Sequence, residues 1–164
     1  MKTKKLISIT VLILLISMAY GSYNISLTDF KLSDSNFSYL GGLNWSRNLI
    51  TSFDIAKQEN KPIAVYFWAI WCQYCAKFQA DTLGNPQVKK ILIEDYILVA
   101  MDLDIDRDTA RKYGVSYPPY VLFLDGNDNV LERIAGAVGP ETFLPIVTKV
   151  REQLKLSRDQ VRKK

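Results

Sequence analysis

The run at residues 63–69, Ile-Ala-Val-Tyr-Phe-Trp-Ala, most constrains what this chain can fold into. Every position is apolar or aromatic, with β-branched residues among them, which predicts a strand buried on both faces. Such a strand needs a layer above it and a layer below it. The neighbouring segments supply both. Residues 44–59 set Trp45, Leu49, Ile50, Phe53, Ile55 and Ala56 at helical spacing, and Asn60-Lys61-Pro62 stops the pattern. Residues 76–83 read as a helix broken by Gly84-Asn85-Pro86, and residues 86–94 as a second helix capped by Asn85 with Pro86 in its first turn.

Residues 96–103 form a second buried strand in this reading, and 106–113 a short helix ended by Gly114. Residues 120–124 and 129–135 read as a hairpin joined by Asp125-Gly126-Asn127-Asp128. Residues 140–156 carry Phe143, Leu144, Ile146, Val147, Val150 and Leu154 along one helical stripe, ahead of a basic tail at 157–164. Strands alternating with helices, then a closing hairpin and helix, predict an α/β fold with a central mixed β-sheet flanked by helices on both faces.

The formal charge of +4 is unevenly placed. Without residues 1–20, 18 positive side chains face 17 negative ones, a net +1. The last fourteen residues hold six positive and two negative groups, +4, so the body between is about −3. A nucleic-acid binder would carry its basic face through the folded part, and this chain is predicted not to be one.

Lys2, Lys4 and Lys5 precede an apolar stretch from Leu6 to Ala19, the layout of a secretory signal or an N-terminal membrane anchor over residues 1–20. Fourteen residues span about 21 Å as a helix, short of the ~30 Å core of a bilayer, which favours a cleaved signal. Either form puts the remainder outside the cytoplasm. Residues 21–44 are rich in Ser, Asn and Gly and read as a flexible tether with a short strand near its end, ahead of a folded domain at 45–156. The N-x-Ser sequons at Asn24, Asn36 and Asn44 are acceptors where glycosylation machinery exists, or chance in so Ser- and Asn-rich a segment.

The only two cysteines, Cys72 and Cys75, lie where the buried strand meets a helix. A thiol at a helix N-terminus gains backbone N–H groups and the positive end of the helix dipole, which stabilise its thiolate. The second thiol, one turn on, can resolve a mixed disulfide with the first. A purely structural disulfide over so short a loop would stabilise by only roughly 2 kcal/mol. A metal site needs about four ligands, and the chain has no histidine and no further cysteine. Two buried reduced thiols fit poorly with the polar pair Gln73-Tyr74 between them.

Residues 67–75, Phe-Trp-Ala-Ile-Trp-Cys-Gln-Tyr-Cys, resemble the active-site segment of the thioredoxin superfamily, an aromatic strand followed by W-C-x-x-C. Residues 113–120, Tyr-Gly-Val-Ser-Tyr-Pro-Pro-Tyr, resemble its second signature, whose cis-proline falls on Pro119. Gly136 stands where the superfamily has a glycine after its last strand. The resemblance covers about residues 45–155. The Ala-Lys-x-x-x-Lys-Pro ending of residues 54–62 is most similar to the branch that includes the C-terminal domain of the periplasmic thiol:disulfide interchange reductase.

The resemblance implies a thioredoxin fold and an extracytoplasmic thiol–disulfide oxidoreductase with no cofactor beyond the Cys72–Cys75 pair and no metal. Cys72 is then the nucleophile and Cys75 the resolving thiol. Pro119 faces the pair, and Trp71, Gln73, Tyr74 and Pro118 complete a substrate groove. Partners would be protein disulfides or dithiols and a membrane redox carrier, with the chain working as a monomer.

Three departures qualify the resemblance. Tyr66 occupies the position of thioredoxin's buried aspartate, and Asp102 that of the aspartate's lysine partner, which makes Asp102 a candidate acceptor for the Cys75 proton. No histidine separates the cysteines, which points to a reductase or moderate exchanger over a strong oxidase. Pro118 has no N–H to offer a docked peptide backbone. The alternatives are a disulfide oxidase or isomerase, and a non-catalytic binding or assembly module that keeps the fold.

Overall fold

The computed structural model describes residues 37–162. The readings of residues 1–36, including the signal or anchor, most of the tether and the sequons Asn24 and Asn36, lie outside the described residues. In chain order the elements are a hairpin of β1 (Phe37–Leu40) and β2 (Leu43–Ser46), helix α1 (Leu49–Glu59), β3 (Ile63–Trp68) and α2 (Gln73–Phe78). A π-helical turn (Gln79–Leu83) continues α2. Then come α3 (Pro86–Asp95), β4 (Ile97–Asp102), α4 (Arg107–Lys112), β5 (Tyr120–Leu124), β6 (Val130–Ala135) and α5 (Pro140–Arg162).

The strands form one six-stranded sheet in the order β1-β2-β4-β3-β5-β6. The mixed character expected from the sequence is present: β3 runs parallel to β4 and antiparallel to β5. Ile63, Val65 and Phe67 of β3 point to a core shared with Leu49 and Ala56 of α1 and Ala110 of α4. Ala64 and Tyr66 point to the opposite core, with Phe78, Leu92, Phe143 and Val147 from α2, α3 and α5. The β3 segment is buried on both faces because each face has its own layer of helices.

The short strand expected near the end of the tether is present as β1, but the hairpin's second strand departs from the sequence reading, which began a helix at residue 44. Trp45 lies four residues before Leu49, and so matched a helical stripe by spacing alone. Its local pattern has a period of two instead, with Leu43 and Trp45 buried and Asn44 exposed. Gly41 and Gly42 adopt φ of 62° and 72°, the left-handed pair a two-residue hairpin turn requires. A Cβ on Gly41 would also come within 2.5 Å of Leu83 Cβ, so the turn closes against the π-helical turn only as glycine. The helix then starts at Leu49, where the Asn48 side chain accepts the Thr51 N–H at 3.1 Å. At the other end, α5 continues past the expected limit of 156 to Arg162.

Candidate functional site

Chain direction and capping together place the cysteines. β3 ends at Trp68, and the following turn is closed by Cys72 N–H donating to Ala69 C=O at 3.1 Å. Cys72 then caps α2 in an extended conformation, φ −82° and ψ 100°. Its Sγ accepts the backbone N–H of Cys75 at 3.0 Å, and its C=O accepts the N–H groups of Cys75 and Ala76. The two sulfurs are joined in a disulfide, with Cα atoms 5.2 Å apart. The pair is asymmetric: Cys72 is 8% exposed and Cys75 only 1%. Cys72 is the less buried of the two, and the N–H that reaches its Sγ would stabilise negative charge there in the reduced state. Ala69 forms a small apolar cluster with the two cysteines, and Trp68 packs against it.

Around Cys72 the surface is apolar and exposed. Trp71 is 62% exposed and Tyr74 70%, with Ile70 and Tyr117 also open to solvent. Gln73 is exposed beside them. The Trp71 ring is held in place by its indole N–H, which donates to Asp104 Oδ2 at 2.8 Å. Trp71 and Pro118 line a common groove of about 550 Å³ with residues of the β4–α4 loop and α4. The Pro118–Pro119 peptide bond is cis. Pro119 is buried, Pro118 is half-buried, and Pro119 C=O accepts the N–H of Gly136 at 2.9 Å, tying this loop to the end of β6. Gly136 has φ of 85° at that point.

Within the sheet that leads to the pair the chemistry is different. Tyr66 is fully buried, its ring between Trp45 and Phe78 and its hydroxyl accepting from Gln79 Nε2 at 3.2 Å. Burial pushes its pKa up to about 12, against a smaller opposing effect of the Gln79 bond. Tyr66 therefore stays a neutral phenol at working pH and cannot serve as a general base. Asp102 lies opposite Trp68 in the parallel β3–β4 register, two residues beyond the Tyr66–Ala100 pair. Its Oδ1 accepts the Asp104 N–H at 2.9 Å, and its own N–H donates to Asp106 Oδ2 at 2.8 Å. The carboxylate thus has a part in shaping the loop that carries Asp104.

The structure brings Trp71 and Pro118 to one groove and puts Gln73 and Tyr74 on the exposed start of α2, next to Cys72. The sequence reading missed Asp104, Arg107 and Arg111 on the groove, and Gln79 behind it. Their only sequence signals were ordinary ones, acidic and basic residues in a charged loop and a polar residue one helical turn after Cys75.

With this geometry in view, the comparisons with known proteins are direct. A family model described as a thioredoxin-like domain matches residues 50–151. The chain belongs to the thioredoxin-like domain family. A thiol:disulfide interchange protein DsbD from Pseudomonas fluorescens is 30% identical over 107 residues, covering 62% of this chain and 18% of that protein. A thioredoxin from Mycobacterium bovis is 37% identical over 87 residues, covering 52% of this chain and 71% of the relative. The oxidised C-terminal domain of DsbD from Neisseria meningitidis superposes with a TM-score of 0.54 at 25% identity, covering 62% of this chain and 91% of that one. The family's chemical class is therefore thiol–disulfide oxidoreductase, and the matched residues carry its thioredoxin-like fold, with β1 and β2 lying before them. The chain spans less than a fifth of the DsbD relative's length.

Proposed function

We propose that this chain reduces or exchanges disulfides of protein substrates outside the cytoplasm, using Cys72 and Cys75 as a two-electron dithiol. The carrying observation is the asymmetry of the pair: Cys72, the less buried cysteine, has its Sγ capped by a backbone N–H, and Cys75 is almost wholly buried. In the reduced protein the Cys72 thiolate attacks one sulfur of the substrate disulfide. The substrate S–S bond breaks, a mixed disulfide forms, and the departing substrate thiolate takes up a proton. Cys75 then gives up its proton and attacks Cys72 Sγ. The mixed disulfide breaks, the second substrate thiol leaves, and the protein is left as the disulfide seen in the structure.

Asp102 is our candidate acceptor for the Cys75 proton. It sits opposite Trp68, which packs on the cysteine pair, and its Oδ2 takes no protein hydrogen bond among the described residues. The pair itself carries both electrons, so no organic cofactor or metal enters the cycle. A dithiol donor must return two electrons and two protons to the Cys72–Cys75 disulfide, and a membrane redox protein fits the N-terminal segment read as a signal or anchor. The same reading has the chain acting as a monomer, attached at most through that segment and without a nucleic-acid partner. Among the described residues no helix is long and apolar enough to cross a membrane.

The test is the reduction potential of the pair, measured by equilibration with glutathione and thiol trapping, together with Cys75→Ser. A potential near thioredoxin's, about −270 mV, supports a reductase, and one near −120 mV would make the chain a disulfide donor instead. Cys75→Ser should accumulate a mixed disulfide through Cys72 with extracytoplasmic proteins. Failure to trap any protein, with the potential also unmeasurable by exchange, removes the catalytic reading.

A further inference from the structure

The groove beside Cys72 carries charge that disulfide exchange does not itself require. Leu103, Ala110 and Val115 contribute its apolar lining, while Asp104, Arg107 and Arg111 supply its charged groups. Its volume of about 550 Å³ is of the size that holds a few side chains of a bound segment. Arg107 and Arg111 lie four apart on α4, so they project from one face of the helix.

The three charged groups differ in what they have left to offer. Asp104 has its Oδ2 engaged by the Trp71 indole N–H. Arg107 is oriented through its Nε–H, which donates to Asp104 C=O at 3.2 Å, and it makes no ion pair among the described residues. Its two terminal nitrogens remain to face a ligand. Arg111 pairs with Asp108 at 3.2 Å, but those side chains are 79% and 95% exposed, and so open a pair exchanges partners at little cost. The acidic neighbours Asp102 and Asp106 turn carboxylate oxygens to backbone N–H groups and do not line the groove. The lining thus sets two guanidiniums, one already oriented, against one carboxylate, whose Oδ2 holds the Trp71 indole.

Resting on the reading of Cys72 as attacking substrate disulfides, we propose that this groove selects substrates carrying an acidic residue beside the disulfide they present. An extended segment leaving the substrate cysteine would lay an apolar residue against Leu103 and Val115 and a Glu or Asp carboxylate at Arg107, with Arg111 in reach. A guanidinium fork suits a carboxylate in two-pronged geometry. A cationic residue there would meet two guanidiniums and a single carboxylate, Asp104.

The experiment uses the reduced full-length protein and three disulfide peptides that differ at one flanking position, Glu, Gln or Lys. Each second-order rate is divided by the rate with dithiothreitol, which removes the intrinsic effect of flanking charge on the disulfide. The expected ratio of Glu to Lys peptide is about fivefold at low salt, the size of an exposed ion pair. It falls towards one near 0.5 M salt as screening shortens to a few ångströms. Arg107→Glu should invert the ratio. Turnover of all three peptides at equal corrected rates overturns the proposal and leaves the disulfide-exchange reading standing. No reaction with any peptide overturns both. A wild-type preference that survives Arg107→Glu with Arg111→Gln also overturns it, because the selection then comes from elsewhere.

Discussion

The indole N–H of Trp71 donates to Asp104 Oδ2 at 2.8 Å, joining the residue before Cys72 to a loop 33 positions further on. An exposed tryptophan would otherwise turn freely, and an ordered ring loses less entropy when a substrate docks on it. Asp104→Ala should therefore raise KM for peptide disulfides about three- to fivefold, the worth of one hydrogen bond of about 1 kcal/mol, while leaving the reduction potential unchanged. Asp104→Asn keeps an acceptor oxygen and should recover most of the loss. A shift in potential in either variant would mean that the bond acts on the cysteines and not on docking.

Pro118 predicts a weaker grip on substrate backbone than its neighbours would allow. It lines the groove, is half-buried and has no N–H to donate to an extended peptide. Pro118→Ala should restore one hydrogen bond and tighten the Cys75→Ser mixed-disulfide complex about fivefold, read as slower release in thiol competition. Unchanged release would place the substrate backbone out of reach of residue 118.

Asp102 is testable because an asparagine keeps one of its two tasks and removes the other. As acceptor of the Cys75 proton it must be charged, whereas holding the Asp104 N–H needs only an oxygen. Asp102→Asn should slow resolution of the mixed disulfide near neutral pH and move the rate profile to more alkaline values, with thermal stability little changed. A profile that overlays the wild type assigns Asp102 to the loop alone.

Most of the fold was legible because burial on two faces leaves a mark that survives local ambiguity. The strand at residues 63–68 could be placed within one residue, since Ile63 to Phe67 offer water nothing. Asn85 and Pro86 announced α3 by cap chemistry that acts within four residues: the Asn85 side chain accepts the N–H groups of Gln87 and Val88. The second strand of the N-terminal hairpin was hidden by the chance four-residue spacing of Trp45 and Leu49, and the pairing of Trp45 with Ser38 of β1 shows that it belongs to a strand. At the site, Cys72 and Cys75 were visible because few arrangements use two cysteines at that spacing. Asp104, Arg107 and Arg111 were not, because an exposed charge takes its meaning from what the fold sets beside it.

Tyr66 supplies a prediction about stability. Its hydroxyl is buried and hydrogen-bonded to Gln79, and its folded pKa of about 12 lies above the value near 10 of an unfolded tyrosine. A folded pKa above the unfolded one contributes stability that is complete below about pH 10 and lost as pH rises towards 12, because the unfolded chain gives up its proton first. Tyr66→Phe lacks that titration. It should be less stable than wild type at neutral pH by about 1 kcal/mol, the worth of the Gln79 bond. In urea unfolding, the wild-type advantage should shrink by about 2 kcal/mol between about pH 9 and pH 11.5, so that the two curves cross. Parallel curves across that range would mean that Tyr66 titrates like an exposed phenol and that water reaches its hydroxyl.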